Sequence, residues 1–405
     1  MKKIVGIALL GIGLLMVFSR TANAQWERTN GPGGIINALV VSNSGDVFAG
    51  TSEGGIFLST DNGTNWTAAN SGLTNTNVSC LAISSGAIFA GTWGGGVFLS
   101  TDNAMNWTAI NSGFTDKYVT SLVTSHKTVF AGTMEGSVFL STNNGTSWTA
   151  VDSGLSNSYV YTLAVSCGSI FAGTKDGAFL SINNGKSWTA IENGLTNNFV
   201  RTFTTSGNAV FAGTWGGGVY VSADNGKSWT AVNSGLTFPY VYSLSVSGGT
   251  LFAGTYSGVF LSADNGTSWT AINSGLTDVV ASYLAVSNNT IFTVTHGVWR
   301  RPLSDMIQAT YAQSRLGPSQ QENIRIHGPS RAHPIVAVEF SLSHSDQAVV
   351  TVYDPSGRGI TLVNKYLGSG THAISWDTRN SASGCYTVRI QAGSDVCVKS
   401  IPIFR

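Results

Sequence analysis

Short apolar runs, separated by glycine and small polar residues, recur along most of the chain. Residues 78–112 are representative: VSCLAIS, AIFAGT, GVFLS and WTAI follow one another, with Ser, Asn, Gly and Asp between them. Runs of this length, rich in β-branched and aromatic residues and bounded by turn formers, predict β-strands, and the 3.6-residue periodicity of helices is absent. The pattern predicts four short antiparallel strands in each unit.

This four-strand unit repeats with a period of 40 or 41 residues. Its fourth run begins with a tryptophan, found at Trp66, Trp107, Trp148, Trp188, Trp229 and Trp269, and Trp26 lies 40 residues before the first. Its second run contains FAGT, starting at Phe48, Phe89, Phe130, Phe171, Phe211 and Phe252, with a degenerate FTVT at Phe292. Repeats of this length stack because a single unit cannot bury its apolar face alone. The sequence therefore predicts an all-β fold, a seven-bladed β-propeller.

The seventh unit lacks its fourth strand. It has three runs within residues 282–303 and then continues into RRPLSD, without the WTA of the other units. The missing strand is available in residues 26–29. We therefore expect a ring closed by the N-terminal strand, because closure removes the exposed sheet edges that invite aggregation. Trimming the chain past Trp26 should then destabilise the whole ring.

The turn between the third and fourth strands has its own signature, as in STDNGTNW at Ser59 and SADNGTSW at Ser262. On these residues the chain resembles the Asp-box (BNR) repeat family of β-propellers and is similar to photosystem II assembly factor and sortilin-like propellers. The acidic or amide residue should accept hydrogen bonds within its turn, and the Asn-Gly that follows supplies positive φ. The predicted structural residues are Asp61, Asp102, Asn143, Asn183, Asp224 and Asp264.

Two details of these turns bear on strain and on metal binding. Ala104 replaces the glycine of the second copy, and we expect it to strain or reshape that turn. Each turn offers one carboxylate at most, whereas calcium prefers six or more oxygens, so no metal site is predicted there. The six histidines form no closely spaced pair and no P-loop or HExxH motif occurs, so no cofactor is predicted either.

The two ends of the chain lie outside the repeats. Residues 1–24 start with Lys2 and Lys3, continue as an apolar run and end in Ala-Asn-Ala, which predicts a secretory signal peptide cleaved before Gln25. No later segment approaches the length of a membrane span, so we expect a soluble or surface-attached mature protein. We assign residues 25–305 to the propeller, 306–326 to a polar linker and 327–405 to a C-terminal domain.

Alternating apolar runs in the C-terminal domain, including VAVEFSL, AVVTVYD and CYTVRIQ, predict a small immunoglobulin-like β-sandwich. The YD at Tyr353, the SGR ending at Arg358, the WD at Trp376 and the following Tyr386 give a second resemblance. This order is similar to the C-terminal sorting domains of the type IX (Por) secretion system and to the related FlgD-like fold. The resemblance implies that the secretion machinery is a partner and that the protein is secreted or displayed on the bacterial cell surface.

Composition adds constraints on partners and on cross-linking. Charged residues make up 10% of the chain and the net charge is +1, which provides no basic surface for nucleic acid. All four cysteines are predicted to be unpaired, because Cys80 and Cys167 fall at different positions of different repeats. Cys385 and Cys397 would be out of register in their hairpin.

The candidate binding surface is the face opposite the Asp-boxes, where the turns between second and third strands meet the turns between blades. Residues there vary while the rest of the unit repeats. Trp93 and Trp215 occupy identical TWGGG turns, and exposed aromatic residues can stack on a sugar or anchor a protein. The alternative is that the indoles fold back over their own blades and the tyrosines form a ring of packing residues. The ligand-binding candidates are Glu53, Trp93, Tyr118, Tyr159, Lys175, Trp215, Tyr240 and Tyr256.

An enzyme is the rival interpretation. Sialidases share the Asp-box, yet they hold the substrate carboxylate with an arginine cluster, and the four arginines of the propeller suggest no such clamp. A glycoside hydrolase acting on an extended glycan would need two carboxylates ~5–10 Å apart. Glu135 and Asp176, on adjacent blades, are the catalytic candidates, and the alternative is that both are solvated loop residues.

The predicted function is a secreted or cell-surface, non-catalytic propeller that binds an extracellular polysaccharide or a protein partner. A glycoside hydrolase, and a structural surface protein without a specific ligand, are the two alternatives. Nucleic acid and an integral membrane segment in the mature protein are not expected.

Overall fold

The computed structural model describes residues 25–125, 127–155, 159–166, 168–287, 289–303, 306, 325–327, 335–342, 345–353, 359–379, 381, 384–392 and 395–403. The predicted signal peptide, nearly all of the predicted linker, and His126 and Cys167 lie outside these residues. Among the residues described, no helix is both long and apolar enough to cross a bilayer.

Residues 25–303 form seven antiparallel sheets of four strands, which are the blades of a propeller. Blade 1 comprises Ile36–Val41, Val47–Thr51, Ile56–Ser59 and Thr67–Ala68, from the innermost strand outwards. Blade 2 comprises Val78–Ser84, Ala87–Thr92, Gly96–Ser100 and Thr108–Ala109, as the pattern of apolar runs predicts. Blade 3 comprises Val119–Ser125, Thr128–Thr133, Val138–Ser141 and Thr149–Ala150.

Blades 4 to 6 repeat this arrangement. Blade 4 comprises Val160–Ser166, Ser169–Thr174, Ala178–Ser181 and Thr189–Ala190. Blade 5 comprises Val200–Ser206, Ala209–Thr214, Gly218–Ser222 and Thr230–Ala231. Blade 6 comprises Val241–Ser247, Thr250–Thr255, Gly258–Ser262 and Thr270–Ala271.

Blade 7 joins the two ends of the propeller sequence. Its first three strands are Tyr283–Val286, Thr290–Val294 and Val298–Pro302, and its outer strand is the N-terminal Glu27–Arg28. The N-terminal strand pairs with the third strand, with Arg28 opposite Trp299. Innermost strands of neighbouring blades contact one another around the ring, including blade 7 against blade 1. The predicted closure by the N-terminal strand is confirmed.

The FAGT sequence determines how closely adjacent blades pack. Its phenylalanines are buried in the cores between the blades. Its glycine faces the first residue of the next innermost strand, and a Cβ added to Gly50 would lie 2.5 Å from Val78 Cγ1. Only a residue without a side chain permits that approach. Blade 7 has Val294 instead of the glycine, and this valine packs in one cluster with Ile36 of blade 1.

The marker tryptophans tie each blade to the one before it. For six of them the indole is buried and Nε1–H donates to a backbone carbonyl just after the outer strand of the preceding blade. Trp26 makes this bond to Ile272 at 2.6 Å and thereby attaches the N-terminal strand to blade 6. Trp66 is the exception: it is half-buried and donates to Gly63 of its own turn at 3.0 Å. Trp66 nevertheless packs on the cluster shared by blades 7 and 1, so all seven tryptophans lie between neighbouring sheets and only the hydrogen bond of Trp66 differs.

The Asp-box turns share one hydrogen-bonding pattern. In the first copy, Asp61 Oδ1 accepts bonds from the Ser59 hydroxyl and the Asn65 amide, both at 2.8 Å. The same two bonds occur at Asp102, Asp224 and Asp264. Asn143 and Asn183 make them through their amide oxygens. The predicted bonds within the turns are confirmed.

Ala104 keeps this turn instead of reshaping it. Its φ is 66°, in the left-handed region, and its amide donates to Ser100 Oγ at 3.0 Å, as the glycines of the other copies do. At the equivalent position of blade 3, a Cβ on Gly145 would lie 2.1 Å from Ile110 Cδ1. The residue that corresponds to Ile110 in blade 1 is Ala69, which packs on the cluster containing Ala104. The smaller Ala69 leaves room for the extra methyl group.

The C-terminal strands form two sheets. One has the order Arg325–His327, Ile335–Leu342, Gly370–Asp377, and the other has the order Gly359–Leu367, Asp346–Tyr353, Gly384–Ala392, Asp395–Ile403. Val338 and Trp376 of the first sheet share a core with Val350 and Val388 of the second, which makes a sandwich. The first strand lies across the predicted linker boundary at residue 326.

Two features of this sandwich compare directly with the sequence pattern. The strand Gly359–Leu367 was not among the predicted runs, because Asn-Lys interrupts its apolar residues and it lies at a sheet edge. The final hairpin has the predicted register, with Cys397 opposite Ile390 and Cys385 opposite Pro402.

Candidate binding face

Hydrogen bonds show which turns share a face of the propeller. In blade 2 the amide of Trp93, which follows the second strand, donates at 2.8 Å to the carbonyl of Asn77, which precedes the innermost strand. The same bond joins Trp215 to Phe199 in blade 5, at 2.9 Å. These two kinds of turn therefore lie together, and the Asp-box turns lie at the other end of the third strand. We call the first of these two faces the upper face and the other the lower face.

The two tryptophans of the TWGGG turns have different surroundings. Trp93 lies edge-on to Tyr118, with ring centroids 5.4 Å apart. Trp215 lies edge-on to both Tyr240 and Tyr242, each at 5.1 Å, and also contacts Phe199 at 6.0 Å. Each indole thus contacts an aromatic residue belonging to the following blade. The same turn sequence therefore carries a pair of aromatic rings in blade 2 and a cluster of four in blade 5.

Seven aromatic rings form a continuous series across blades 4, 5 and 6, which we call the aromatic arc. In order, they belong to Tyr159, Tyr161, Phe199, Trp215, Tyr240, Phe238 and Tyr256, with consecutive centroids 4.2–6.0 Å apart. Phe238 and Tyr256 are 39% and 49% exposed and stack on each other at 5.4 Å. The blade 6 end of the arc is therefore open to solvent.

The guanidinium of Arg201 lies among these rings. Its Cζ is 5.4 Å from the ring centroid of Tyr161 and 5.3 Å from those of Trp215 and Tyr242. These separations are within the range of cation–π attraction. Among the described residues its N–H groups have no hydrogen-bond or ion-pair partner.

Arg201 occupies a β-bulge that recurs in the innermost strands. In blade 5 the pairing register shifts between Val200 and Thr202, which turns the intervening residue away from the ladder. The same shift occurs in blades 1 to 6. The bulge residues are Asn37, Ser79, Thr120, Tyr161, Arg201 and Tyr242.

In blades 1 to 3 the bulge residue supports the fold. Asn37, Ser79 and Thr120 each donate a side-chain hydrogen bond to the backbone carbonyl of the first residue in the next innermost strand. In blades 4 to 6 large side chains stand at this position and enter the aromatic cluster instead. A small polar residue is therefore enough for the fold at this position.

Sequence reasoning missed part of this cluster. Arg201 was considered only as a possible member of an arginine clamp, and Tyr161, Tyr242 and Phe238 were not considered. The available signal was the replacement of short polar residues by Tyr, Arg and Tyr at one repeat position. Phe238 gave a similar signal, since it stands where Asn75 and Asn197 cap the turns into blades 2 and 5.

The charge of Arg201 affects the surrounding phenols. Burial raises the pKa of Tyr159 to about 12, with a further rise from neighbouring Tyr161, and the positive charge of Arg201 opposes both. Burial also raises the pKa of Tyr242 and of Tyr283, again against Arg201. The phenols are therefore neutral hydrogen-bonding groups, and Arg201 supplies the charge of the cluster.

The charged candidates lie on other parts of the upper face. Glu53, Glu135, Lys175 and Asp176 are all exposed. Asp116, in contrast, is buried and accepts a bond from the Glu135 amide at 3.3 Å, so it has a structural role in its turn. The pairing of Glu135 with Asp176 in catalysis stays a prediction.

The closing blade adds a polar contact to this face. His296 Nδ1 contacts the carboxylate of Asp278, and Arg28 donates to the carbonyl of His296 at 3.3 Å. Across the part of the chain that the structure describes, no group of three or more His, Cys, Asp or Glu side chains is arranged to hold a metal ion.

These features define a repeat β-propeller that carries a C-terminal β-sandwich. Residues 156–307 match the DUF6242 β-propeller domain. Residues 329–403 match the secretion system C-terminal sorting domain. The protein is therefore exported by type IX secretion, either to the cell surface or into the medium.

Solved structures share the fold at low sequence identity. YCF48 bound to a D1 peptide has a TM-score of 0.58 at 14% identity, covering 69% of this chain and 96% of that one. YCF48 from Cyanidioschyzon merolae has a TM-score of 0.52 at 15% identity, covering 69% and 98%. The GH74 xyloglucanase from Xanthomonas campestris has a TM-score of 0.55 at 14% identity, covering 78% and 59%. A search of curated proteins gives no match. Such identities show the fold alone.

Proposed function

We propose that this protein is a secreted or cell-surface, non-catalytic propeller that binds an extracellular polysaccharide along the aromatic arc. The observation that carries the proposal is the continuity of the seven rings across three blades of the upper face, five of them half-buried and two exposed. A polymer with repeating units needs several adjacent contacts, and a series of rings provides them.

The chemistry of the arc suits a sugar chain. The face of an aromatic ring is electron-rich, and the C–H groups on the flat side of a pyranose pack against such a face. The hydroxyls of Tyr159, Tyr240 and Tyr256 add hydrogen-bonding groups at the rims of the rings. The arc therefore offers apolar ring faces for the C–H groups of the sugar units and polar phenol groups for their hydroxyls.

The fold does not need large side chains at the bulge positions of the arc region. The positions of Tyr161, Arg201 and Tyr242 are held in blades 1 to 3 by Asn37, Ser79 and Thr120, which make ordinary structural hydrogen bonds. Phe238 and Tyr256 expose apolar surface at a cost in hydration. Exposed apolar patches of this kind often mark interaction sites, and a bound ligand would cover these rings.

The test is binding of the mature protein to a panel of neutral and acidic polysaccharides, with retention and release of reducing ends both recorded. Trp215→Ala and Tyr256→Ala should each weaken retention about tenfold or more, as for anchors at a binding surface. Trp93→Ala is the matched control. Trp93 occupies the identical TWGGG turn of blade 2, and its substitution removes a similar edge-on contact, with Tyr118, outside the arc.

Two results would overturn the proposal. Release of reducing ends that is abolished by Glu135→Gln or Asp176→Asn would make the protein a glycoside hydrolase. Retention of no polysaccharide at all would leave a protein partner or a purely structural role.

A further inference from the structure

We propose that the polysaccharide bound by the aromatic arc is acidic, and that Arg201 binds the carboxylate of a uronic acid unit. This inference rests on the proposed function and identifies its substrate class. Three observations support it: the position of Arg201 in the arc, the aromatic rings around its guanidinium, and the absence of a hydrogen-bond or ion-pair partner among the described residues.

Arg201 lies in the middle of the aromatic arc. The bulge aims the Arg201 side chain out of the ladder of blade 5, between Tyr161 of blade 4 and Tyr242 of blade 6. The guanidinium is thus placed in the middle of the arc, where a chain lying across blades 4 to 6 passes over it. Lys117, for comparison, is an exposed cation of the upper face in the turn between blades 2 and 3.

The rings around the guanidinium attract its charge without neutralising it. Its Cζ lies over the rings of Tyr161, Trp215 and Tyr242, 5.3–5.4 Å from each centroid. A guanidinium is planar and carries five N–H donors around its edge. The donors keep their capacity for hydrogen bonds, and a carboxylate is the planar acceptor that pairs with two of them at once.

Arg201 has no counter-ion among the residues that the structure describes. Neither a carboxylate nor a carbonyl of the described residues pairs with the Arg201 guanidinium. Arg300, in contrast, is bound to the Asn62 carbonyl and the Thr64 hydroxyl, both at 2.8 Å. The rings also lower the local polarity, which strengthens attraction to an incoming anion. A neutral glycan would leave this charge unused.

The experiment compares each acidic polysaccharide with its own methyl ester, so that only the charge changes. Polygalacturonate, alginate and hyaluronan are suitable probes, titrated against the full mature protein. We expect the acids to bind about 10- to 100-fold more tightly than their esters, as for hydrogen bonds to a charged partner. The difference should shrink as salt is added.

Variants of the cation then assign the selectivity. Arg201→Gln should reduce binding of the acid to the level of the ester and leave binding of the ester unchanged. Arg201→Lys should recover part of the selectivity, because lysine keeps the charge but cannot make the paired contact. Lys117→Gln should leave the selectivity intact and so excludes a general effect of surface charge.

The outcomes separate this inference from the proposed function. Equal binding of acids and esters, sensitive to Tyr256→Ala and insensitive to Arg201→Gln, would overturn the acidic ligand and keep the polysaccharide. Selectivity that survives Arg201→Gln would overturn the role of Arg201. If the protein retains a neutral polysaccharide but binds none of the acidic probes, the inference of an acidic ligand is overturned and the proposed function stands. If the protein retains no polysaccharide, both proposals are overturned.

Discussion

The lower and upper faces of this propeller differ in how far the repeat determines them. On the lower face six Asp-box turns make the same hydrogen bonds, whether the central residue is Asp61 or Asn143. On the upper face the turns keep their backbone bonds, but their side chains differ from blade to blade. The aromatic arc occupies blades 4 to 6 only.

The difference separates structural from functional information in the repeat. Residues that recur in nearly every blade, such as the tryptophan and the FAGT glycine, connect one blade to the next. Arg201 and Tyr256 are side chains that only some blades carry. We therefore expect stability to respond strongly to substitution at the blade junctions, weakly in single Asp-box turns and hardly at all in the arc.

The largest expected effect is at the closing junction. Trp26→Ala should lower the free energy of unfolding by about 3–5 kcal/mol, because it removes a buried indole and one of the two hydrogen bonds to the Ile272 carbonyl, which keeps only its bond from Arg301. Trp66→Ala is the natural comparison, since Trp66 is half-buried and bonds within its own turn. Its loss should be roughly half as large or less. Urea unfolding followed by circular dichroism measures both, and equal losses would contradict the importance given to the N-terminal strand.

The next effect concerns the compensated pair at the junction of blades 1 and 2. Ala69→Ile should destabilise the protein by about 1–3 kcal/mol, because the longer side chain meets the methyl group of Ala104. Adding Ala104→Gly should restore most of the loss, since it recreates the Ile110 and Gly145 combination of the next junction. A double-mutant cycle by urea unfolding measures the coupling, and simple additivity would refute the contact.

A smaller effect is expected from the acidic Asp-boxes. Hydrogen bonds from the Asn65 backbone amide, then from its side chain, hold the pKa of Asp61 at about 2, below its usual 3.8. The folded state therefore favours the carboxylate, so this stabilisation is present above pH 3.8 and is lost as the pH falls towards about 2. Asp61→Asn should make the unfolding midpoint less sensitive to acid. Asn143→Asp, in a box without a carboxylate, should make it more sensitive, and unchanged acid profiles for both would contradict this account.

The sequence was sufficient for the fold because the same residues carry it in every repeat. The four strands of blade 2, the closure by Trp26 and the Asp-box bonds all follow from recurring runs and from counting strands. The sites were harder to predict for a physical reason. The arc is assembled from turns and bulges of three blades, and its members meet only when blades 4 to 6 pack against one another. The residues next to Arg201 in the sequence form no motif that indicates a binding site. Ala69 and Ala104 are likewise 35 residues apart and become partners only through blade packing.

The smallest effect on stability should occur at Arg201, and it tests the comparison most directly. Arg201→Thr gives blade 5 the bulge residue of blade 3, where Thr120 donates to the Val160 carbonyl. The new hydroxyl can make the corresponding bond to blade 6, which offsets the lost cation–π contacts, so the free energy of unfolding should change by less than about 0.5 kcal/mol. Thr120→Val, which removes the existing bond, should cost about 1 kcal/mol. Urea unfolding of both variants measures the contrast. If Arg201 serves a ligand, its replacement by the structural residue of another blade should not harm the fold. A large loss of stability in Arg201→Thr would instead mean that Arg201 and the aromatic residues around it stabilise the packing between blades.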